Sequence, residues 1–170
     1  MQVFQGCFLK YFSKNQLLNV SGFKRSSLGN YGHYIHPSKS SGPIHQSFRV
    51  DYANKTHRDR IEVSAARFIT TSGIPDNLQN GIESDNIIIS GISYERSLDN
   101  WKIKSYFSQF AQNRTLAHSL YPDSTTRFIN RNQFDLQLIN SKRYEFGFNQ
   151  KFHQFNSSNY LRSIAWSSFY

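Results

Sequence analysis

NQFDLQLI (Asn132–Ile139) and RYEFGFN (Arg143–Asn149) alternate apolar and polar residues almost without a break. In an extended chain Phe134, Leu136 and Leu138 point one way while Asp135 and Gln137 point the other. Tyr144, Phe146 and Phe148 likewise oppose Arg143, Glu145, Gly147 and Asn149. Side chains change sides at every residue of a strand, whereas a helix would scatter these residues round its circumference. Both segments are therefore expected to be β-strands with one apolar and one polar face, joined across Asn140–Lys142.

The same period-2 pattern recurs outward from this hairpin. It predicts strands at Val3–Phe12, Leu17–Arg25, Gln46–Ala53, Arg60–Thr70, Asn86–Ser97, Trp101–Ala111, Asn132–Ile139, Arg143–Phe152 and Asn159–Tyr170. Trp101, Ile103 and Phe107 oppose Lys102 and Lys104, and Phe48, Val50 and Tyr52 oppose Arg49 and Asp51. Most of these strands have the length of a tilted barrel strand, about 9–11 residues. Arg49, Asp51, Glu62, Glu95, Lys102, Lys104, Asp135, Arg143 and Glu145 all fall on the polar faces, which in a barrel line the lumen. Their mixed signs point to cross-strand pairing rather than one ion-selective field.

Connections alternate in length. Ser13–Gln16, Asn54–Asp59, Leu98–Asn100 and Asn140–Lys142 are short; Ser26–His45, Thr71–Asp85 and Gln112–Arg131 are long, and His153–Ser158 is intermediate. Turn signals, Gly42-Pro43 and Pro75-Asp76-Asn77, sit within the long ones. Short turns are expected at one end of the sheet and long loops at the other. Two registers follow. A turn at Asp99-Asn100 places Leu98 opposite Trp101, Tyr94 opposite Ser105 and Glu95 opposite Lys104. A similar count around Asn140–Lys142 places Leu138 opposite Tyr144, Leu136 opposite Phe146, Phe134 opposite Phe148 and Gln137 opposite Glu145.

Composition narrows the function classes. The 170 residues suffice for one domain. Apolar residues make up 38% and aromatics 16%, with 15 Phe and 10 Tyr. Disordered chains are poor in aromatics, so disorder does not explain the polarity. No apolar run approaches the length of a membrane helix, which leaves an alternating barrel open. Cys7 is the single cysteine, so neither an internal disulfide nor a cysteine-based metal site is available. The net charge is +9, and Lys10, Lys14, Lys24, Arg25, Lys39 and Arg49 all precede the first acid, Asp51. That basic start fits a mitochondrial transit peptide or a basic arm for RNA. There is no secretory signal in which a charged segment leads into an apolar one.

The last segment, YLRSIAWSSFY (Tyr160–Tyr170), resembles the closing strand of Gram-negative outer-membrane β-barrels, which ends in an aromatic assembly signal. Ile164, Trp166 and Tyr170 carry the resemblance on one face; Ser168 departs from the family's apolar residue, and Arg162 departs as well. The resemblance implies insertion by the barrel assembly machinery and residence in the outer membrane, against lipid and lipopolysaccharide.

Candidate chemistry is sparse. His33, His36 and His45 lack the converging ligands and neighbouring carboxylates of a metal centre. His118 and Ser119 suggest a hydrolase pair, but adjacent strand residues point to opposite faces. Asn19, Asn54, Asn113 and Asn156 begin Asn-x-Ser/Thr triplets, frequent by chance in a chain this rich in Asn and Ser. No enzyme activity, cofactor or metal is expected. The expected fold is all-β: an antiparallel up-and-down transmembrane barrel, or part of one, of about nine strands. Single-chain bacterial barrels have even strand numbers. The odd count and the absent signal lead to the expectation that residues 1–170 form one barrel domain lacking an N-terminal portion. Its expected role is a transport channel, or an export or anchoring barrel. The rivals are an organellar RNA-associated protein with a transit peptide and a soluble β-sandwich binding module.

Overall fold

A computed structural model describes residues 2–27, 44–74, 81–118, 121–140, 144–156 and 158–169. They form β1 (Gln2–Phe12), β2 (Gln16–Ser27), β3 (Ile44–Lys55), β4 (Asp59–Ile74), β5 (Gly81–Leu98), β6 (Trp101–His118), β7 (Tyr121–Asn140), β8 (Tyr144–Phe155) and β9 (Ser158–Phe169). Each strand pairs antiparallel with its sequence neighbours in a single sheet of order β1 through β9. The sheet is not closed: β1 and β9 each have one partner. No helix and no second sheet lies against either face among the described residues, so they do not form a sandwich.

The strands predicted from alternation are all present. Two of the predicted long loops are not loops. Most of Thr71–Asp85 belongs to the ends of β4 and β5, and most of Gln112–Arg131 to the paired ends of β6 and β7, with a bulge between Leu116 and His118. These extensions are mostly polar, and the apolar residues among them, such as Ile82, Leu116, Phe128 and Ile129, do not alternate, so the sequence does not announce a strand. The ends of β2, β4 and β6 that precede the 28–43, 75–80 and 119–120 segments lie at one end of the sheet, and those segments lie outside the described residues. The close turns after β1, β3 and β5 lie at the other. Gly42-Pro43 and Pro75-Asp76-Asn77 lie outside the described residues.

The β5–β6 register is the predicted one: Leu98 faces Trp101, Tyr94 faces Ser105 and Glu95 faces Lys104. Asp99 in the connecting turn takes a positive φ of 29 degrees. Asp and Asn tolerate that left-handed region better than most residues. The β7–β8 register differs from the prediction by two residues. Leu136 faces Phe148, Leu138 faces Phe146, and Gln137 faces Gly147 rather than Glu145. A shift of two leaves every side chain on its face, so the alternation that set the faces could not set this register. Phe134 and Phe148 remain in contact diagonally, with ring centroids 6.4 Å apart.

Candidate functional site

The register sorts the strand residues onto two faces of opposite character. Arg49, Asp51, Glu62, Glu95, Lys102, Lys104, Asp135 and Glu145 occupy one face. Arg143 lies outside the described residues. Of the charged residues with a partner in the register, only Lys24, Asp59, Arg67 and Arg96 lie on the opposite, apolar face.

Asp59, Arg67 and Arg96 mark the borders of an apolar band. On β4, Ile61, Val63 and Ala65 lie between Asp59 and Arg67; on β5, Ile88, Ser90, Ile92 and Tyr94 lie between Asn86 and Arg96. Polar contacts close each border. Tyr94 Oη donates to Asp59 Oδ1 at 2.7 Å, with Arg96 Nε 3.8 Å from the same carboxylate. Arg67 Nε donates to Asn86 Oδ1 at 3.0 Å. The band continues through Phe48, Val50 and Tyr52 on β3, Trp101, Ile103 and Phe107 on β6, Phe134, Leu136 and Leu138 on β7, and Tyr144, Phe146 and Phe148 on β8.

The charged face is paired in part. Arg49 Nε lies 2.8 Å from Asp51 Oδ2, which also accepts from Asn19 Nδ2 at 3.1 Å. Arg60 binds Glu62 at 2.5 Å, and Ser93 Oγ donates to the same carboxylate at 3.3 Å. Glu95 stands opposite Lys104 but binds Lys102 at 2.9 Å, a diagonal contact. Arg114 pairs with Glu83, and Gln112 donates to Asp85 at 2.9 Å. Asp135 accepts from Gln133 at 2.6 Å and from Asn149. Two concavities open on this face. One of about 350 Å³ is bordered by Arg60, Glu62, Glu95, Lys104, Tyr106, Asp135 and Gln137; another of about 260 Å³ by Asp51, Glu62, Ser64 and Tyr106.

Both faces of the single sheet are open. No described residue is buried. The Asp85 and Asp51 side chains are 20% and 21% exposed, whereas Phe146 is 46% and Phe48 51% exposed. Other carboxylates are as open as the rings: the Glu62 side chain is 43% and Asp59 39% exposed.

On the closing strand Ile164 and Trp166 share a face, the charged one: Trp166 faces Gly147 and Ile164 faces Asn149. Gly147 has no side chain, and the indole lies over the space it leaves. Tyr170 lies outside the described residues. Alternation groups these residues correctly but does not say which side they take. The turn does: Phe155 faces Ser158 across two intervening residues, and Asn156 has a positive φ of 50 degrees.

The remaining candidates do not converge. His45 is exposed at the start of β3, and His33 and His36 lie outside the described residues. His118 ends β6, and Ser119 lies outside the described residues. Among the described residues no group of three His, Cys, Asp or Glu side chains could hold a metal. Gln2–Ser27, within the basic start of the chain, is paired into the sheet as β1 and β2. No family model matches the chain, and no curated protein matches it.

Proposed function

We propose that this chain is the membrane-embedded wall of a bacterial outer-membrane β-barrel that passes polar solutes along its charged face. The observation that carries the reading is the pairing of an exposed apolar band with an opposite face that carries nearly all the charges, several of them bridged. Water stabilises the reverse arrangement. A bilayer outside and a wet channel inside stabilise this one.

The height of the band supports the same reading. Its borders lie eight residues apart on β4 and ten on β5. At about 3.3 Å per residue and a tilt of roughly 35–45°, such a stretch spans roughly 20–25 Å. The apolar belt of barrels of this kind is about 25 Å tall. Polar strand ends beyond the band would stand in the headgroups and above them. Charges of both signs, paired in part, suit uncharged or zwitterionic solutes better than one ion. The partners are then lipid, lipopolysaccharide and the barrel assembly machinery that the closing strand's resemblance implies.

The RNA-associated reading draws less support. Arg49, Arg60, Arg96, Lys102 and Arg114 are committed to carboxylates. Arg127 and Arg131 hold no ion pair among the described residues, but the carboxylates interleaved with the cations on the same face disfavour a phosphate backbone.

Fractionation separates the two. The proposed barrel stays in the membrane pellet through a high-salt wash and is released by detergent, and the reconstituted protein makes liposomes permeable to small sugars. Release by salt alone would favour nucleic-acid association and sink the membrane reading.

A further inference from the structure

The charged face carries an apolar strip that the solute pathway does not require. Ala66 on β4, Ile89 on β5 and Phe110 on β6 are register neighbours in one row, and that row reaches Arg131 on β7. At its other end Ala66 faces Arg49, whose guanidinium is held by Asp51. Phe68 and Ile87 flank the row on the side toward the loop end. Phe68 is 39% and Ile89 42% exposed, and no described element covers them. From β4 to β7 the row crosses three inter-strand spacings, about 14 Å.

Arg131 differs from the arginines of this face on β3, β4 and β6. Arg49, Arg60 and Arg114 each hold a carboxylate, whereas Arg131 and Arg127, which bracket Ile129 on β7, have no ion pair among the described residues. Arg127 also stands directly opposite Arg114. Glu83 and Asp85 offset this like-charge pairing from the Arg114 side. His153 continues the row beyond Arg131. An apolar row that ends in an uncommitted guanidinium, about 14 Å from Ala66 to Arg131, is complementary to one ligand shape: an aliphatic chain with an anionic end.

We propose that this row binds a medium-chain fatty acid, its carboxylate on Arg131 and its chain across Phe110 and Ile89 toward Ala66. A guanidinium takes a carboxylate through two parallel N–H···O bonds, and the chain removes the exposed apolar strip from water. The site rests on the membrane reading, because only there is this face the inner one.

The test uses the full chain in liposomes, labelled by a photoreactive dodecanoate and mapped by peptide mass. Labelling is expected around Ile89, Phe110 and Ile129. Arg131→Gln should reduce it about tenfold, since a hydrogen bond to a charged group is lost, while Lys104→Gln should leave it unchanged. Three results overturn the site: label confined to apolar-face residues such as Ile92 and Phe107, equal labelling by a photoreactive dodecanol, or no effect of Arg131→Gln in a protein that still inserts. Failure of the membrane reading shows separately, as protein lost from the liposome fraction in the salt wash.

Discussion

At Gly147 the missing side chain has a structural use. A Cβ there would overlap the Trp166 indole, which fixes how β8 and β9 meet on the charged face. Gly147→Ala is expected to destabilise the folded protein by about 1–3 kcal/mol through overpacking. Trp166→Ala in the same chain should recover most of the loss, measured by denaturant unfolding from lipid. The chain has two tryptophans, and Trp101 lies on the apolar face. In a Trp101→Phe variant, brominated lipid should therefore leave the remaining indole emission largely unquenched. Strong quenching would put Trp166 on the lipid side and the closing strand one residue out of register. In the sequence Ile164 and Trp166 stand out as a pair with no side assigned to them. One residue more in the turn after Phe155 would exchange the faces of β9.

The hairpins test the elements themselves. Cysteines replacing Glu95 and Lys104 should crosslink under mild oxidation, and cysteines at 95 and 103 should not, because Ile103 faces Arg96 on the other side. On β7 and β8, cysteines at 136 and 148 should crosslink in preference to 136 and 146. The reverse preference would restore the register expected from sequence. The partly exposed Glu95–Lys102 bridge does not set the β5–β6 register. Ion pairs in such positions contribute only about 0–1 kcal/mol. At this scale the sequence is informative wherever one face is apolar and the other charged. Phe134, Leu136 and Leu138 against Asp135 and Gln137 suffice to place β7 and its faces. The outer part of the same strand, with Thr126, Arg127, Asn130 and Arg131, alternates little and is legible only as a polar stretch. There the strand is set by pairing with β6, which no local pattern reports.

For the whole molecule, the medium outside the sheet decides what a surface substitution costs. Phe146 is half exposed in the sheet alone. In water, replacing such an exposed residue usually changes stability by no more than about 0.5 kcal/mol. In the proposed bilayer setting Phe146→Arg should cost about 2–4 kcal/mol if the residue lies near mid-membrane. Folding titrations into liposomes measure the difference directly. A near-neutral result in lipid would remove the bilayer from that face.

The linear order of strands has a consequence in direction. With nine strands, each reversing the last, β1 and β9 run the same way. Every joint in the sheet is antiparallel. A seam made by laying β1 against β9 would be the one parallel joint, with slanted and slightly weaker hydrogen bonds. Any odd number of strands set between them would instead preserve the reversal all the way round. The rim strands are therefore expected to open before the middle of the sheet. Amide hydrogen exchange should be fastest along Gln2–Phe12 and Ser158–Phe169 and slowest within β5 and β6. Equal protection at rim and centre would mean that another strand, from whatever source, already lies along both edges.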